Sequence, residues 1–416
     1  MNSKKRRQKK KLQKKSAGSD RPTQILNEAF RLYKSGNLKL ALRKCELLLA
    51  AHQKHTDALS LSGSIHLDLG QTQAGVNCLQ SVVKILPDSS QAHFNLGTAL
   101  SANGEPAEAI SSQHHALELK PEYPEALYNL GNVYRQTGEL ETAIRSYRSA
   151  LDLAPDYPGA ATNLASSLLR LGRAGEALDA SNAALKHHPG DRDALAFKAI
   201  AASEIGDPDT AASILCMDRL IVQKDFEAPA SFRDLAEFNK ALVTHVLSHP
   251  TLTREPANVA TRHGQQTQNL ALEPRGPIAQ LQEMIIEAYD EYMNSVCNQV
   301  DHLYLRQIPN LSKIDIWGTV LDRMGHQAAH MHRNAWISGV YYAQLPDVMH
   351  GANESQSGWI EFGRPPDEFP CMVEHEVRMF EPSEGRMFMF PSFEFHRTIP
   401  FESSQQRISI AFDLLA

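Results

Sequence analysis

Three histidines and one arginine in the C-terminal part of this 416-residue chain have the types and spacing that metal and anion chemistry requires. His330 and His332 are two residues apart, so an extended backbone directs both side chains to the same face. His396 lies on a later segment and can supply a third imidazole, and Arg407 follows it by eleven residues. Imidazole binds Fe, Cu, Zn and Ni, so the spacing predicts a metal site without naming the metal.

Strand-like segments surround these residues and would have to position them. Beyond about residue 301 the chain has short stretches rich in β-branched and aromatic residues, separated by Gly, Pro and Ser clusters. Upstream, residues 281–296 have the apolar spacing of an amphipathic helix. Residues 223–416 are therefore predicted to form a double-stranded β-helix, or jelly roll, with flanking helices. The predicted strands are IDIWGTVL, WISGVYYAQL, GWIEF, EVRMF, GRMFMF and RISIAF.

The first half of the chain repeats itself every 34 residues. In residues 121–154, two apolar stripes of helical spacing are separated by Gly138, and glycine suits the left-handed conformation in which a helix often ends. About six such units are predicted over residues 19–222, stacked into an α-solenoid, so the chain is an α + β multidomain protein. The glycines in register are Gly36, Gly70, Gly104, Gly138, Gly172 and Gly206.

These units resemble the tetratricopeptide repeat in their period and in their small residues. The second helix carries a small residue such as Ala143, and the first helix carries another such as Gly131. The pattern departs at the ends of the array, where Gln53 and Gln223 stand in place of proline. The resemblance implies a concave groove, lined by the first helices, that takes a protein or peptide partner.

An asparagine recurs in this register on the first helices, at Asn95, Asn129 and Asn163. Its side chain offers both a donor and an acceptor, which matches the backbone of an extended peptide. The ladder resembles the peptide-binding groove of the repeats in O-linked glycosyltransferases, and we expect it to hold a polypeptide. The alternative is that each amide only bonds a neighbouring helix.

The C-terminal segment resembles the 2-oxoglutarate- and Fe(II)-dependent oxygenase superfamily, and within it a branch with H-x-H followed by an SGVYY strand. The resemblance implies a jelly roll that uses Fe(II), 2-oxoglutarate and dioxygen, with ascorbate as a supporting reductant. The matching motifs, in chain order, are His330-Met331-His332, Ser338-Gly339-Val340-Tyr341-Tyr342, Gly358-Trp359-Ile360-Glu361-Phe362, Phe390-Pro391-Ser392, His396 and Arg407-Ile408-Ser409.

The same resemblance implies a role for each site residue. His330 and His396 would bind Fe(II) as the first and last ligands. Arg407 would bond the far carboxylate of 2-oxoglutarate, because a guanidinium group matches a carboxylate bidentately. The remaining residues expected beside that carboxylate are Ser409 and Tyr342.

One position departs from the superfamily pattern, which is H-x-D/E and supplies a carboxylate where this chain has His332. His332 could be a third imidazole ligand, which we favour, or it could lie outside a two-histidine site completed by water. As a third interpretation, His332 is the first ligand and Asn334 takes the carboxylate's place. Glu361 could also approach, although a structural role is the simpler interpretation.

Together these patterns predict a 2-oxoglutarate- and Fe(II)-dependent dioxygenase that hydroxylates a protein or peptide captured by the repeats. One alternative is a non-catalytic repeat adaptor with a degenerate jelly roll. Another is a cupin-like metalloenzyme that does not use 2-oxoglutarate.

The charge distribution and the cysteines bear on the partners and the cellular location of the protein. Residues 1–18 form a basic segment predicted to be a disordered tail, with a nuclear-import signal or a tether to an acidic partner as alternatives. Residues 1–15 carry nine Lys and Arg, so the rest of the chain is strongly acidic and should not bind nucleic acid except through this tail. No stretch of about 20 apolar residues predicts a membrane span. Five dispersed cysteines favour a reducing, cytoplasmic location.

Overall fold

The computed structural model divides the chain into two compact units, with the division between Asn163 and Leu164. The predicted domain boundary at residues 222–223 is a change of sequence pattern, and it does not coincide with this division. The last repeats share a unit with the C-terminal domain, and the boundary stays a prediction. The predicted basic tail, residues 1–18, lies outside the described residues. The structure describes residues 21–257, 259–272, 275–297, 301–349 and 355–416.

Helix pairs follow one another through the described residues 21–215, as the 34-residue period predicts. A short helix, α13 (Met217–Leu220), ends this region. The pairs are α1 (21–34) and α2 (Leu38–Ala51), α3 (Thr56–Asp68) and α4 (Thr72–Ile85), α5 (Ser90–Ala102) and α6 (Pro106–Leu119), α7 (Pro124–Thr137) and α8 (Leu140–Leu153), α9 (Ala160–Arg170) and α10 (Ala174–His187), and α11 (Arg192–Glu204) and α12 (Pro208–Leu215).

Glycine and small side chains shape each pair. Gly138 follows α7 with a φ of 85°, a left-handed conformation in which a side chain would be strained. Within α7, a Cβ on Gly131 would lie 2.6 Å from the Tyr147 ring of α8. Ala143 on α8 is fully buried. The periodic small residues therefore let the helices of a pair approach closely.

Two antiparallel sheets form the core of the C-terminal half and confirm the predicted jelly roll. The larger sheet has the strand order β1-β8-β5-β10-β4-β3-β2, and the smaller has the order β7-β6-β9. The strands are β1 (Val222–Asp225), β2 (Thr253–Arg254), β3 (Thr261–Gln266), β4 (Lys313–Gln327), β5 (Ile337–Gln344), β6 (Ile360–Phe362), β7 (Arg378–Phe380), β8 (Arg386–Pro391), β9 (His396–Thr398) and β10 (Arg407–Leu415).

Two helices accompany the sheets, α14 (Leu235–Leu247) and α15 (Pro277–Tyr292). The predicted helix over residues 281–296 corresponds to α15 and the π-helical turn Met293–Cys297 that follows it. All six predicted strands are present, as β4 to β8 and β10. Strands β1, β2, β3 and β9 were not predicted, because they are short or lack a run of β-branched residues.

Strand β10 lies between β5 and β4 and carries four alternating residues on one face: Arg407, Ser409, Ala411 and Asp413. Its register with β5 sets Ser409 opposite Tyr342 and Asp413 opposite Ser338. Polar groups that are far apart in the chain are thereby aligned along one interior face of the sheet.

None of the helices in the part of the chain that the structure describes combines the length and the apolarity needed to cross a bilayer.

Candidate metal centre

His330 and His396 lie opposite each other in an isolated antiparallel bridge. The His330 N–H donates to the His396 carbonyl at 3.1 Å, and the His396 N–H donates back at 2.9 Å. The His332 N–H donates to the Ser392 carbonyl at 3.0 Å. The first two histidines of the triad thus lie on irregular backbone before β5 and are fixed by pairing with the segment around His396.

Each of the three imidazoles uses its Nδ1 to bond an acceptor inside the protein. His330 Nδ1 donates to the Ala328 carbonyl at 2.8 Å, and His396 Nδ1 donates to the Glu394 carbonyl at 3.0 Å. His332 Nδ1 bonds both carboxylate oxygens of Asp413, at 2.8 and 3.0 Å. A carbonyl or carboxylate only accepts, so these contacts place the ring proton on Nδ1 and leave a lone pair on every Nε2.

One ring nitrogen from each of the three imidazoles converges on a common point, and these nitrogens all lie within 4.8 Å of one another. Nε2 of His330 and Nε2 of His332 are 3.3 Å apart. Two nitrogens about 2.1 Å from one ion, at roughly 90–110° to each other, would lie about 3.0–3.4 Å apart. Lone pairs at this spacing repel unless a cation lies between them, so the triad fits a bound metal ion.

Burial keeps the imidazoles of His330 and His396 in the neutral form that can bind a metal. Desolvation, with the neighbouring His332 imidazole, lowers the pKa of His330 to about 3. The same two causes hold the pKa of His396 well below its usual value, with desolvation the larger and both other imidazoles contributing. Both rings are therefore neutral at neutral pH, as a metal ligand must be.

Asp413 is the site residue that sequence reasoning missed. Its carboxylate accepts from His332 and, at 2.6 Å, from the Ser338 hydroxyl. A carboxylate behind a metal-binding imidazole fixes the ring and raises its basicity. The superfamily pattern has a carboxylate at the position of His332. In this chain a carboxylate, that of Asp413, lies behind the His332 ring instead. Alternation on the strand, continued from Arg407 and Ser409, was the signal that could have found Asp413.

Arg407 carries a buried positive charge without a carboxylate partner among the described residues. Its side chain is 1% exposed, Nη1 donates to the Ser409 hydroxyl at 3.4 Å, and the guanidinium lies 4.9 Å from the Tyr342 ring centroid. Among the described residues, the Arg407 Nε has no hydrogen-bond partner of good geometry. Desolvation lowers the pKa of Arg407. Because an unpaired buried charge is costly, this arrangement favours an anionic ligand.

The imidazole triad and the guanidinium line one cavity. Aromatic and aliphatic side chains such as Trp317, Ile360 and Phe390 form much of the remaining wall, together with the polar Gln327 and Thr398. Its volume is about 20 Å³, close to the space of a single water molecule. A five-carbon dicarboxylate would therefore have to move side chains apart as it enters.

Family models match both halves of the chain. The family described as "Putative 2OG-Fe(II) oxygenase" matches residues 315–413, and tetratricopeptide repeat models match residues 61–113, 115–145, 131–172 and 162–216. Tetratricopeptide repeats thus precede a domain that matches the 2OG-Fe(II) oxygenase family. The oxygenase match spans the strands that carry the triad and Arg407.

Three similar solved structures each align with less than half of the chain. TTC0263, a thermophilic TPR protein of Thermus thermophilus, is 26% identical with a TM-score of 0.37, covering 44% of this chain and 98% of its own. PilF of Pseudomonas aeruginosa is 19% identical with a TM-score of 0.44, covering 48% and 92%. YrrB, titled a TPR protein with an unusual peptide-binding site, is 19% identical with a TM-score of 0.35, covering 41% and 88%. The curated proteins gave no match.

The other candidate ligands in the oxygenase domain lie away from the triad. Glu361 bonds Arg364 Nε at 2.5 Å and Arg397 Nε at 2.7 Å, and these bonds lower its pKa although burial opposes them. Asn334 is exposed in a turn. The structure therefore gives no support to Asn334 as a replacement for the carboxylate, and it gives Glu361 a structural role.

The asparagine ladder of the repeats is partly engaged within the solenoid. Asn129 Nδ2 donates to the Thr98 hydroxyl of α5 at 2.9 Å, and Asn163 Nδ2 donates to Asn132 of α7 at 2.8 Å. Asn95 accepts from Gln91 on its own helix at 2.8 Å. Bonds to a neighbouring helix thus exist for Asn129 and Asn163, while one polar atom each of Asn95 and Asn129 has no partner in the described part of the chain.

Replacing Asp413 with asparagine should weaken metal binding to the oxygenase domain by about 10–100-fold, because outer partners of ligating histidines typically contribute that much. The change keeps the side-chain shape and removes the charge behind His332. Calorimetric titration with Co²⁺ measures the effect. Ser338→Ala, which only removes the hydroxyl bonded to Asp413, should have a smaller effect, and equal affinity of Asp413→Asn and the unmodified chain would contradict the assigned role.

Metal binding should quench the fluorescence of Trp317, whose ring lies 5.6 Å from the His332 ring at an angle of 23°. A paramagnetic ion on His332 would be close enough to shorten the excited state of this indole. Anaerobic titration with Fe(II) measures the decrease, and Trp317→Phe should remove most of it. An undiminished decrease in Trp317→Phe would show that the ion binds elsewhere.

Proposed function

We propose that this chain is a 2-oxoglutarate- and Fe(II)-dependent dioxygenase that hydroxylates a protein or peptide. The observation that carries the proposal is one buried cavity, lined by three converging imidazoles and by a guanidinium that has no carboxylate partner among the described residues. A site that bound only a metal ion would not need a buried guanidinium beside it. A site that bound a metal ion together with a dicarboxylate would use the imidazoles for the ion and the guanidinium for the carboxylate.

His330, His332 and His396 would hold Fe(II), which when bound activates dioxygen to oxidise 2-oxoglutarate to succinate and carbon dioxide and to hydroxylate a substrate C–H bond. One oxygen atom enters the succinate and the other enters the hydroxyl group. The chain's part is binding, orientation and exclusion of water. Arg407 and Ser409 would hold the far carboxylate, which orients the keto acid toward the triad.

Asp413 would adjust the charge of the site. Three neutral imidazoles leave the charge of the ion uncompensated, whereas a carboxylate ligand would cancel part of it. The Asp413 carboxylate bonds the Nδ1 proton of His332 and supplies negative charge through the ring. This arrangement supports a working metal centre and argues against a degenerate jelly roll.

Succinate formation tests the proposal directly. The purified full chain, with Fe(II), ascorbate and 2-oxoglutarate, should release succinate, and His396→Ala should abolish the release. A chain that binds metal but never consumes 2-oxoglutarate would instead be a cupin-like metalloenzyme. A chain that binds neither would be a repeat adaptor, and either result would overturn the proposal.

The repeats would hold the substrate polypeptide, because tetratricopeptide repeats generally mediate protein interactions. Capture in the groove would raise the effective concentration of the substrate at the oxygenase site. The unpartnered amide atoms of Asn95 and Asn129 support an extended backbone as the ligand.

Changing Asn95, Asn129 and Asn163 together to alanine should weaken peptide binding by about 10-fold or more, since each hydrogen bond contributes about 0.5–1.5 kcal/mol. Fluorescence anisotropy with the labelled substrate peptide measures the affinity. Asn77→Ala, on the exposed side of α4, is the control that should leave affinity unchanged. Equal affinity of the triple variant and the unmodified chain would refute the ladder as a binding surface.

We also propose a reducing, cytoplasmic environment for this activity. The cysteines with described side chains, Cys45, Cys78, Cys216 and Cys371, are all free thiols, which supports such a location.

A further inference from the structure

A second group of metal-binding side chains lies outside the oxygenase cavity. Glu204 is the last residue of α11, and Cys371 and His375 lie on the loop of residues 363–377 between β6 and β7. One ligating atom of each of the three residues lies within 4.8 Å of the others. The proposed iron site contains no sulfur, so this group differs from it in chemistry as well as in place.

The carboxylate and the imidazole of this group are already aligned. Glu204 Oε1 and His375 Nε2 are 2.7 Å apart, and their side chains are only 6% and 8% exposed. The other oxygen of Glu204 accepts the Met372 backbone N–H at 2.9 Å, which fixes the plane of the carboxylate. Cys371 is exposed at the edge of the group, so an ion can enter from solvent on that side.

The loop that carries Cys371 and His375 is held in place by other contacts. Phe369 is buried, with its ring 5.7 Å from Phe197 of α11 and 6.5 Å from Phe395. At the start of the loop, Gly363 has a φ of 92°, and a Cβ there would lie 2.3 Å from the Glu376 carbonyl oxygen. The two ends of the loop are therefore in contact, and the ligands are positioned before any ion binds.

We propose that Glu204, Cys371 and His375 bind a zinc ion that pins this loop to α11. Thiolate, imidazole and carboxylate together are a donor set that suits zinc, whereas Mg²⁺ and Ca²⁺ prefer oxygen ligands. Zinc takes four ligands, so a water molecule would complete the site. Binding would release the thiol proton of Cys371 to solvent and replace the Glu204–His375 hydrogen bond with two bonds to the ion. The proton of that hydrogen bond would leave His375 Nε2, either for Nδ1 of the same ring or for solvent.

The required movement is small. With about 2.3 Å from zinc to sulfur and about 2.1 Å to nitrogen, ligands in a tetrahedral site lie roughly 3.6 Å apart. Cys371 would therefore have to approach by at most about 1.2 Å, and its exposed position permits this. The gain would be a cross-link between α11 and a loop that follows β6, the strand paired with the His396 strand.

Cobalt substitution tests the proposal, because a Co²⁺–thiolate bond gives a near-ultraviolet charge-transfer band that an imidazole site cannot give. The full chain titrated with Co²⁺ should show this band, and so should His330→Ala/His396→Ala, in which the imidazole site is disabled. Cys371→Ser and His375→Ala should lose it. Cys216→Ser, which changes a different free thiol, should keep it.

Two further measurements separate this site from the proposed oxygenase activity. Zn²⁺ should raise the melting temperature of His330→Ala/His396→Ala but not that of the same chain with Cys371→Ser added. Cys371→Ser alone should still turn over 2-oxoglutarate with Fe(II). A missing band in the unmodified chain, or a band that persists in Cys371→Ser, would show that the three residues are only a hydrogen-bonded clamp.

Discussion

Replacing Arg407 with methionine is expected to weaken 2-oxoglutarate binding strongly while raising the melting temperature of the ligand-free protein. The guanidinium is buried without a carboxylate partner in the described part of the chain, so its charge is a cost until an anion binds. Methionine fills a similar space without that charge. Loss of a buried contact to a carboxylate should weaken the binding of 2-oxoglutarate by about 2–5 kcal/mol, which is roughly 30-fold to 5,000-fold in affinity. Thermal unfolding with and without 2-oxoglutarate measures both effects.

The matched control for Arg407→Met is Arg386→Met. Arg386 lies on β8 and already has a partner, with Nε 2.6 Å from Asp225. Its partner Asp225 is exposed to solvent, so the replacement should lower stability by about 1 kcal/mol and should leave 2-oxoglutarate binding intact. If Arg407→Met instead melted at a lower temperature and still bound 2-oxoglutarate, the guanidinium would be a structural group.

Replacing His396 with alanine is expected to weaken metal binding by more than about 100-fold, since loss of a ligand should exceed the loss of an outer partner. The ring is buried, and its Nδ1 is held by the Glu394 carbonyl, so no other described side chain can take its place without rearrangement. Anaerobic calorimetric titration with Fe(II) gives the affinity. Succinate formation should fall to background in the same variant.

His326→Ala is the control for this experiment. His326 lies on β4, four residues before His330, and its Nδ1 bonds the Met324 carbonyl outside the triad. The variant should bind Fe(II) as the unmodified chain does. Equal losses in His326→Ala and His396→Ala would mean that general destabilisation, rather than loss of a ligand, explains the result.

His332→Ala then separates the interpretations of the H-x-H motif that remain. A loss of metal affinity as large as that of His396→Ala identifies His332 as a ligand, which its free Nε2 lone pair and its distance to His330 favour. A loss limited to about 10-fold would identify a two-histidine site completed by water, with His332 and Asp413 as outer groups.

The solenoid could be predicted closely because its signals are local and repeated. Each unit needs a glycine where its first helix ends, such as Gly138. Each unit also needs a small residue where its two helices touch, such as Gly131. The strands around the site could also be predicted, because β5 and β10 are eight and nine residues long and contain several β-branched and aromatic residues. Strand β9, with three residues, has too little sequence to give such a signal.

The parts that could not be predicted depend on contacts between distant segments. Asp413 reaches His332 only because β10 pairs with β5 in one particular register. Glu204 and His375 are 171 residues apart, and no spacing in the sequence connects a helix end with so distant a loop. Arg407 could be proposed as a partner of 2-oxoglutarate from its motif, whereas its lack of a carboxylate partner among the described residues required the packed structure.

A crystal structure of the full chain, grown without oxygen in Fe(II) and 2-oxoglutarate, tests the central claim most directly when data are collected at the iron absorption edge. We expect one anomalous peak within bonding distance of the Nε2 atoms of His330, His332 and His396, and a dicarboxylate whose far end contacts Arg407. An iron peak away from these three nitrogens, or an iron-loaded site in which Arg407 contacts no carboxylate, would contradict the proposed oxygenase site.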